Sequence, residues 1–201
     1  LSKRKIDYGY ARYKTKKSDK KMEAKKIIIT GGATRIGSAI AKSLVSFETK
    51  IGIHFNKSKS SALKLKKELE ELGAEVYLFK ADLNNFKQTE TLIKKAYKTL
   101  KGLDCLINNA SIFENDNLEN FSEKSFTKHM NINLKAPAII TQNFKRLIKN
   151  KEGCIINIID QRVEKLTPFF FSYTLSKSSL ATFTKTSAMK LAPNIRVNGI
   201  S

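Results

Sequence analysis

Short, nearly uninterrupted apolar runs recur along this chain, each followed by a stretch with helical spacing, and few folds accommodate that alternation. Lys26–Thr30 is such a run, as expected of a strand buried on both faces. Further strands are expected over Ile51–Phe55, Glu75–Lys80, Leu103–Asn108, Cys154–Ile159 and Ile195–Ile200. Between them, Arg35–Phe47 places Ile36, Ile40, Leu44 and Val45 on one side of a helix, and Ser61–Leu72 is amphipathic and ends at Gly73. Phe86–Leu100 and Tyr173–Leu191 are also helical, as is Ser122–Asn150, with a bend expected near Pro137. Strands alternating with helices imply an α/β fold: a doubly wound parallel sheet with helices on both faces.

The chain has 201 residues, enough for one domain with a large core. Residues 1–25 are rich in Lys and Tyr and hold no apolar cluster, so they are expected to be a disordered or read-through extension ahead of a 26–201 domain. No apolar run approaches the roughly 18 residues of a membrane span, and no signal peptide is evident, so a cytoplasmic protein without a membrane partner is expected. The net charge of +20 raises nucleic acid as a partner. The excess is mostly lysine scattered over helix faces, so nucleic acid is set aside and anionic ligands are favoured. Cys105 and Cys154 lie in strand-like runs and read as buried thiols in a reducing compartment. His54 and His129 have no partners at ligand spacing, so no metal site is expected.

Two groups of residues carry chemistry. The first is Thr30-Gly31-Gly32-Ala33-Thr34-Arg35-Ile36-Gly37, between a strand and a helix. Such a turn offers unobstructed backbone N–H donors to a pyrophosphate at a positive helix end. Arg35 adds a planar, multidentate phosphate donor. At the end of the second strand, His54-Phe55-Asn56-Lys57-Ser58 contains no acid. A carboxylate there would bind a ribose 2′-hydroxyl, whereas Lys57 and Ser58 suit a 2′-phosphate, so NADPH is expected over NADH. The second group is Asp160, Tyr173 and Lys177, with Tyr173 thirteen positions after Asp160 and Lys177 four after Tyr173. One helical turn puts Lys177 on the face of Tyr173, where its charge would lower the phenol pKa and make a proton relay.

Together these motifs resemble the short-chain dehydrogenase/reductase family, whose domain has a Rossmann-type fold, and the resemblance covers about residues 26–201. The usual member has Ser where this chain has Asp160 and Gly where it has Arg35. Those exchanges narrow the resemblance to pteridine reductases and dihydromonapterin reductases. The resemblance implies cofactor contacts from Gly31, Arg35, Ile36, Gly37, His54, Asn56, Lys57, Ser58, Asp82, Leu83, Asn109, Ala110, Ser111, Tyr173 and Lys177. His54–Ser58 is similar to the His-Tyr-x-Arg-Ser segment of pteridine reductases, and Asp82 matches the aspartate that bonds adenine. Asn108-Asn109-Ala110-Ser111 matches the Asn-Asn-Ala-Ser beside the cofactor. Asn133 matches an asparagine that helps hold a relay water.

The implied substrate is a pterin, a dihydropterin or dihydrofolate reduced to its tetrahydro form, held by Arg35, Ser111, Phe113, Asp160 and Tyr173. An ionised Asp160 cannot donate a hydrogen bond to a ketone oxygen, but a carboxyl group can deliver or relay a proton to a C=N nitrogen. The resemblance also implies a homotetramer packed through the helices around 122–150 and 173–191. A last loop, helix and strand of the family are expected beyond Ser201. The alternatives are a carbonyl reductase, such as one acting on a 3-oxoacyl thioester, and a non-catalytic cofactor-binding or basic module.

Overall fold

The computed structural model describes residues 25–46 and 48–201. The extension expected over residues 1–25 lies outside them except for Lys25. Six parallel strands form one sheet: β1 (Lys26–Ile29), β2 (Lys50–Phe55), β3 (Glu75–Lys80), β4 (Cys105–Asn108), β5 (Gly153–Ile158) and β6 (Ile195–Ile200), in the order β3-β2-β1-β4-β5-β6. The helices are α1 (Arg35–Ser43), α2 (Lys59–Glu71), α3 (Phe86–Leu100), α4 (Glu123–Met130), α5 (Ala136–Ile148) and α6 (Phe171–Leu191). This is the doubly wound parallel sheet that the alternation implies.

Strand period sorts the core into two layers. Ile28 points into a cluster with Leu92, Ile93, Ala96 and Leu100 of α3 and Ile140, Phe144 and Ile148 of α5. Its neighbours Ile27 and Ile29 point the other way, against Ala41 of α1 and Ala62, Leu65 and Leu69 of α2. Fully burying one such Ile or Leu is worth about 1.5–3 kcal/mol, so β1, apolar on both faces, anchors the sheet from its middle.

Three expectations need correction. The first helix stops at Ser43 rather than Phe47, and Ile36 is exposed instead of joining the apolar side. The bend expected near Pro137 lies just before it, as a π-helical turn at Asn131–Lys135 where the Ala136 N–H reaches back to the Asn131 carbonyl. Pro137 sits in the first turn of α5, where its missing N–H is tolerated, and it denies the Asn133 carbonyl its ordinary α-helical donor. Cys105 and Cys154 are free thiols but only partly buried; they are register partners near the amino ends of β4 and β5.

Candidate active site

Most of the sequence-marked chemistry lies at or beyond the carboxyl ends of the strands, around the switch point where β1 and β4 lead the chain to opposite sides. A cavity of about 490 Å³ opens there. Its floor is the glycine turn. Gly31 has φ +60°, a left-handed conformation that glycine adopts without strain. A Cβ on Gly37 would lie 2.3 Å from the Gly31 carbonyl oxygen and 2.6 Å from Asn109 Nδ2, so only glycine fits. Arg35 holds φ +52°, strained for a residue with a side chain.

Neighbouring strands brace the turn. The Asn109 side chain donates to the carbonyls of Thr30 (2.9 Å) and Gly31 (3.0 Å). Thr30 Oγ1 accepts the N–H groups of Asn109 and Ala110, each at 3.0 Å. His54 is buried; Nδ1 accepts the Gly31 N–H at 3.0 Å and Nε2 donates to the Ala81 carbonyl at 3.1 Å. Burial pushes its pKa down to about 4, so the ring is neutral and its tautomer is set by those two bonds. His54 therefore builds the cradle from beneath.

Arg35, Ile36, Asn56, Asp82, Leu83 and Ala110 line the cavity. Asp82 is held by Asn56 Nδ2 (3.4 Å) and accepts the N–H of Asn84 (2.9 Å). Lys57 and Ser58 do not line it; both are exposed just beyond Asn56, where Ser58 precedes the first turn of α2.

At the other end the Tyr173 hydroxyl donates to Asp160 Oδ2 at 2.8 Å. Asp160 Oδ1 caps a short 3₁₀ turn, Gln161–Val163, by accepting the Arg162 N–H at 2.8 Å. Lys177 is buried one turn below Tyr173, with Nζ donating to the Ile158 carbonyl at 2.8 Å and lying 5.8 Å from the Tyr173 ring centre. Burial lowers the Lys177 pKa to about 8 against the opposing pull of Asp160. The expectation that Lys177 depresses the phenol pKa is corrected: burial, and then the bond to Asp160, raise it. A phenol that donates its O–H to a carboxylate holds its proton more tightly.

Phe113 lines the cavity with its ring edge-on to Tyr173, centres 4.7 Å apart, and stacked on Phe170 at 4.2 Å. Ser111, also on the lining, donates to Asn133 Oδ1 at 3.2 Å. Asn133 itself is fully buried and off the cavity. Its side chain accepts the Ile112 N–H (2.9 Å) and donates to the Ile112 carbonyl (3.1 Å) and Ser176 Oγ (3.0 Å), tying the Phe113 loop to α6.

Three residues that shape the site carry no expected role in the sequence. Thr30 opens the glycine-turn motif and ends an apolar run, but nothing in that pattern marks its hydroxyl as a brace. Arg162 lines the cavity two positions after Asp160, a spacing that could have flagged it. Asp116 left no sequence signal. Its buried carboxylate accepts the Ser172 N–H at 3.0 Å and its carbonyl accepts the Phe171 N–H at 3.1 Å, so a remote loop caps the helix that carries Tyr173.

The chain has counterparts of known structure. The FolM alternative dihydrofolate reductase 1 of Brucella suis, solved in complex with NADP, superposes with a TM-score of 0.82 at 38% identity, covering 87% of this chain and 73% of that one. A short chain dehydrogenase from Burkholderia cenocepacia, also solved with NADP, gives a TM-score of 0.83 at 27% identity over 88% and 73%. Nodulation protein G of Rhizobium sp. (strain N33) is 30% identical over 182 residues, 90% of this chain and 73% of its own length. The short chain dehydrogenase family matches residues 25–201, which takes in the glycine turn, the Tyr173–Lys177 pair and the sheet between them, and the chain belongs to that family.

Proposed function

We propose that this protein is an NADPH-dependent pterin reductase, converting a dihydropterin or dihydrofolate to the tetrahydro form. The observation that carries the reading is Asp160 at the Tyr173 hydroxyl, 2.8 Å away, in a cavity walled by Phe113. A serine there would favour ketone oxygens; a carboxylate favours a nitrogen that must gain a proton. The FolM enzyme of Brucella suis supports the same substrate class.

The residues fit the cofactor. The turn at Gly31–Gly37 is a cradle that a Cβ would fill, opening onto the N-terminus of α1. Asp82 and Asn56 suit an adenosine, and Lys57, Ser58 and the N-terminus of α2 suit a 2′-phosphate. When bound, NADPH supplies a hydride. The chain supplies the rest. Phe113 orients a flat ring, Tyr173 gives its hydroxyl proton to the substrate nitrogen as the ring carbon gains the hydride, and Asp160, which accepts the Tyr173 hydrogen bond, returns a proton from solvent to Tyr173. Lys177 Nζ holds the Ile158 carbonyl and fixes the floor beneath Tyr173. Asn133 holds the Phe113 loop, and its carbonyl, lacking an α-helical donor, suits a relay water. A cytoplasmic homotetramer packed through α4, α5 and α6 belongs to this reading, and sedimentation tests it.

The test is NADPH oxidation by the purified protein with 7,8-dihydropterin, beside an acetoacetyl thioester and an Asp160→Ser variant. Pterin-dependent oxidation is expected, falling about 10²–10⁴-fold in the variant. Turnover of the thioester alone, or better pterin turnover in Asp160→Ser, refutes the reading in favour of a carbonyl reductase.

A further inference from the structure

We infer that Arg162 is a substrate-recognition residue, presenting guanidinium donors to an acceptor on the ring edge of a flat heteroaromatic substrate. The inference rests on the pterin reading and adds a residue to it.

Arg162 lines the cavity, and its guanidinium centre lies 5.0 Å from the Phe113 ring centre and 4.7 Å from that of Phe170. The two rings are parallel to within 7°. They hold the planar group beside Phe113 on the cavity lining. The donors, however, are not spent on the protein. Nε is buried with no hydrogen-bond partner among the described residues. The nearest carboxylate oxygen, Asp160 Oδ1, is 3.8 Å from Nη1, beyond hydrogen-bond length, and already takes the Arg162 backbone N–H. A buried unpaired donor is costly, and structures keep few of them without a use.

Phe170, which helps support the guanidinium, has φ +58°, a left-handed conformation for a bulky residue. It is held there by the stack on Phe113 and by Asp116 bonding the next two N–H groups of α6. The fold thus maintains a strained residue to keep this arrangement, as functional sites do.

The other charged groups here are accounted for. Asp160 holds Tyr173, Lys177 is turned to the Ile158 carbonyl, and Arg35 stands on the glycine turn among the phosphate donors. Among the described residues, Arg162 is the cation left on the aromatic side of the cavity. A pterin offers it a ring carbonyl beside the nitrogen that is to be protonated. Donation to that carbonyl would place the C=N bond at the Asp160–Tyr173 pair.

The experiment compares wild type with Arg162→Lys and Arg162→Met. It measures NADPH binding, binding of a non-reacting oxidised pterin to the NADP-loaded protein, and steady-state turnover of 7,8-dihydropterin. Loss of a charge-assisted hydrogen bond is expected to raise the pterin Kd and KM about tenfold to a hundredfold in both variants. NADPH affinity and melting temperature should stay near wild type. Full rescue by Arg162→Lys would overturn recognition through the guanidinium fork and leave only a charge effect on Asp160. Unchanged pterin binding in Arg162→Met would overturn the inference while leaving the pterin reading standing. Failure of the wild type to bind or reduce pterins would remove the reading itself, and the inference with it.

Discussion

His54 makes the stability of this protein depend on acid in a calculable way. The ring is buried and neutral, accepting the Gly31 N–H through Nδ1 and donating to Ala81 through Nε2. Its pKa in the folded protein is about 4, against 6.5 for the free side chain, because burial disfavours the charged ring. Between those values the unfolded chain binds the proton and the folded chain does not, so stability falls as pH drops through 6.5 and levels off below 4. From the two pKa values the loss between pH 7 and pH 5 is about 2 kcal/mol, approaching about 3 kcal/mol below pH 4. The assay is urea unfolding at a series of pH values for wild type and for His54→Asn, which cannot titrate. The difference between the two curves should grow smaller toward low pH by that amount. NADPH affinity should also fall in the wild type, because a protonated Nδ1 no longer accepts from Gly31. Parallel stability curves for the two proteins from pH 7 to pH 5 would refute the assignment of His54 as a neutral brace.

Other perturbations follow from the same geometry. Arg35→Gly relieves the left-handed backbone of Arg35 while Arg35→Ala keeps it, so the glycine variant should be more stable than the alanine one by about 0.5–1 kcal/mol after glycine's extra unfolded freedom is counted. Thermal unfolding should show about 1–4 °C between them, with NADPH binding weakened in both. Gly37→Ala places a Cβ against the Gly31 carbonyl and should cost about 1–3 kcal/mol together with most cofactor affinity, read by unfolding and NADPH fluorescence. Lys177, with a folded pKa of about 8 against 10.5, should make the cofactor-free protein gain stability as pH rises from 8 to 10.5, because only the unfolded chain still holds that proton. Lys177→Met should abolish that gain in urea titrations.

Features that depend on local chemistry were legible along the chain. Apolar runs with strand length and helical spacing between them depend only on neighbours along the chain, so the alternating sheet was legible. So was the glycine turn, because it is a contiguous stretch between a strand and a helix. The Tyr173–Lys177 pair was legible because four residues is one helical turn. The order of the strands, and with it the cavity, depends on which runs pair across the sheet.

The roles of particular side chains needed the same long-range information. Whether Lys177 lowers the Tyr173 pKa or holds the Ile158 carbonyl turns on how α6 sits over β5. His54 becomes a brace only because β2 ends beside both Gly31 and Ala81. The cap that Asp116 places on α6 joins residues 56 positions apart, and the stack of Phe113 on Phe170 crosses the same gap between loops. Hydrogen bonds and ring contacts act over a few ångströms in space, and residues far apart in sequence reach that range only once the sheet has formed.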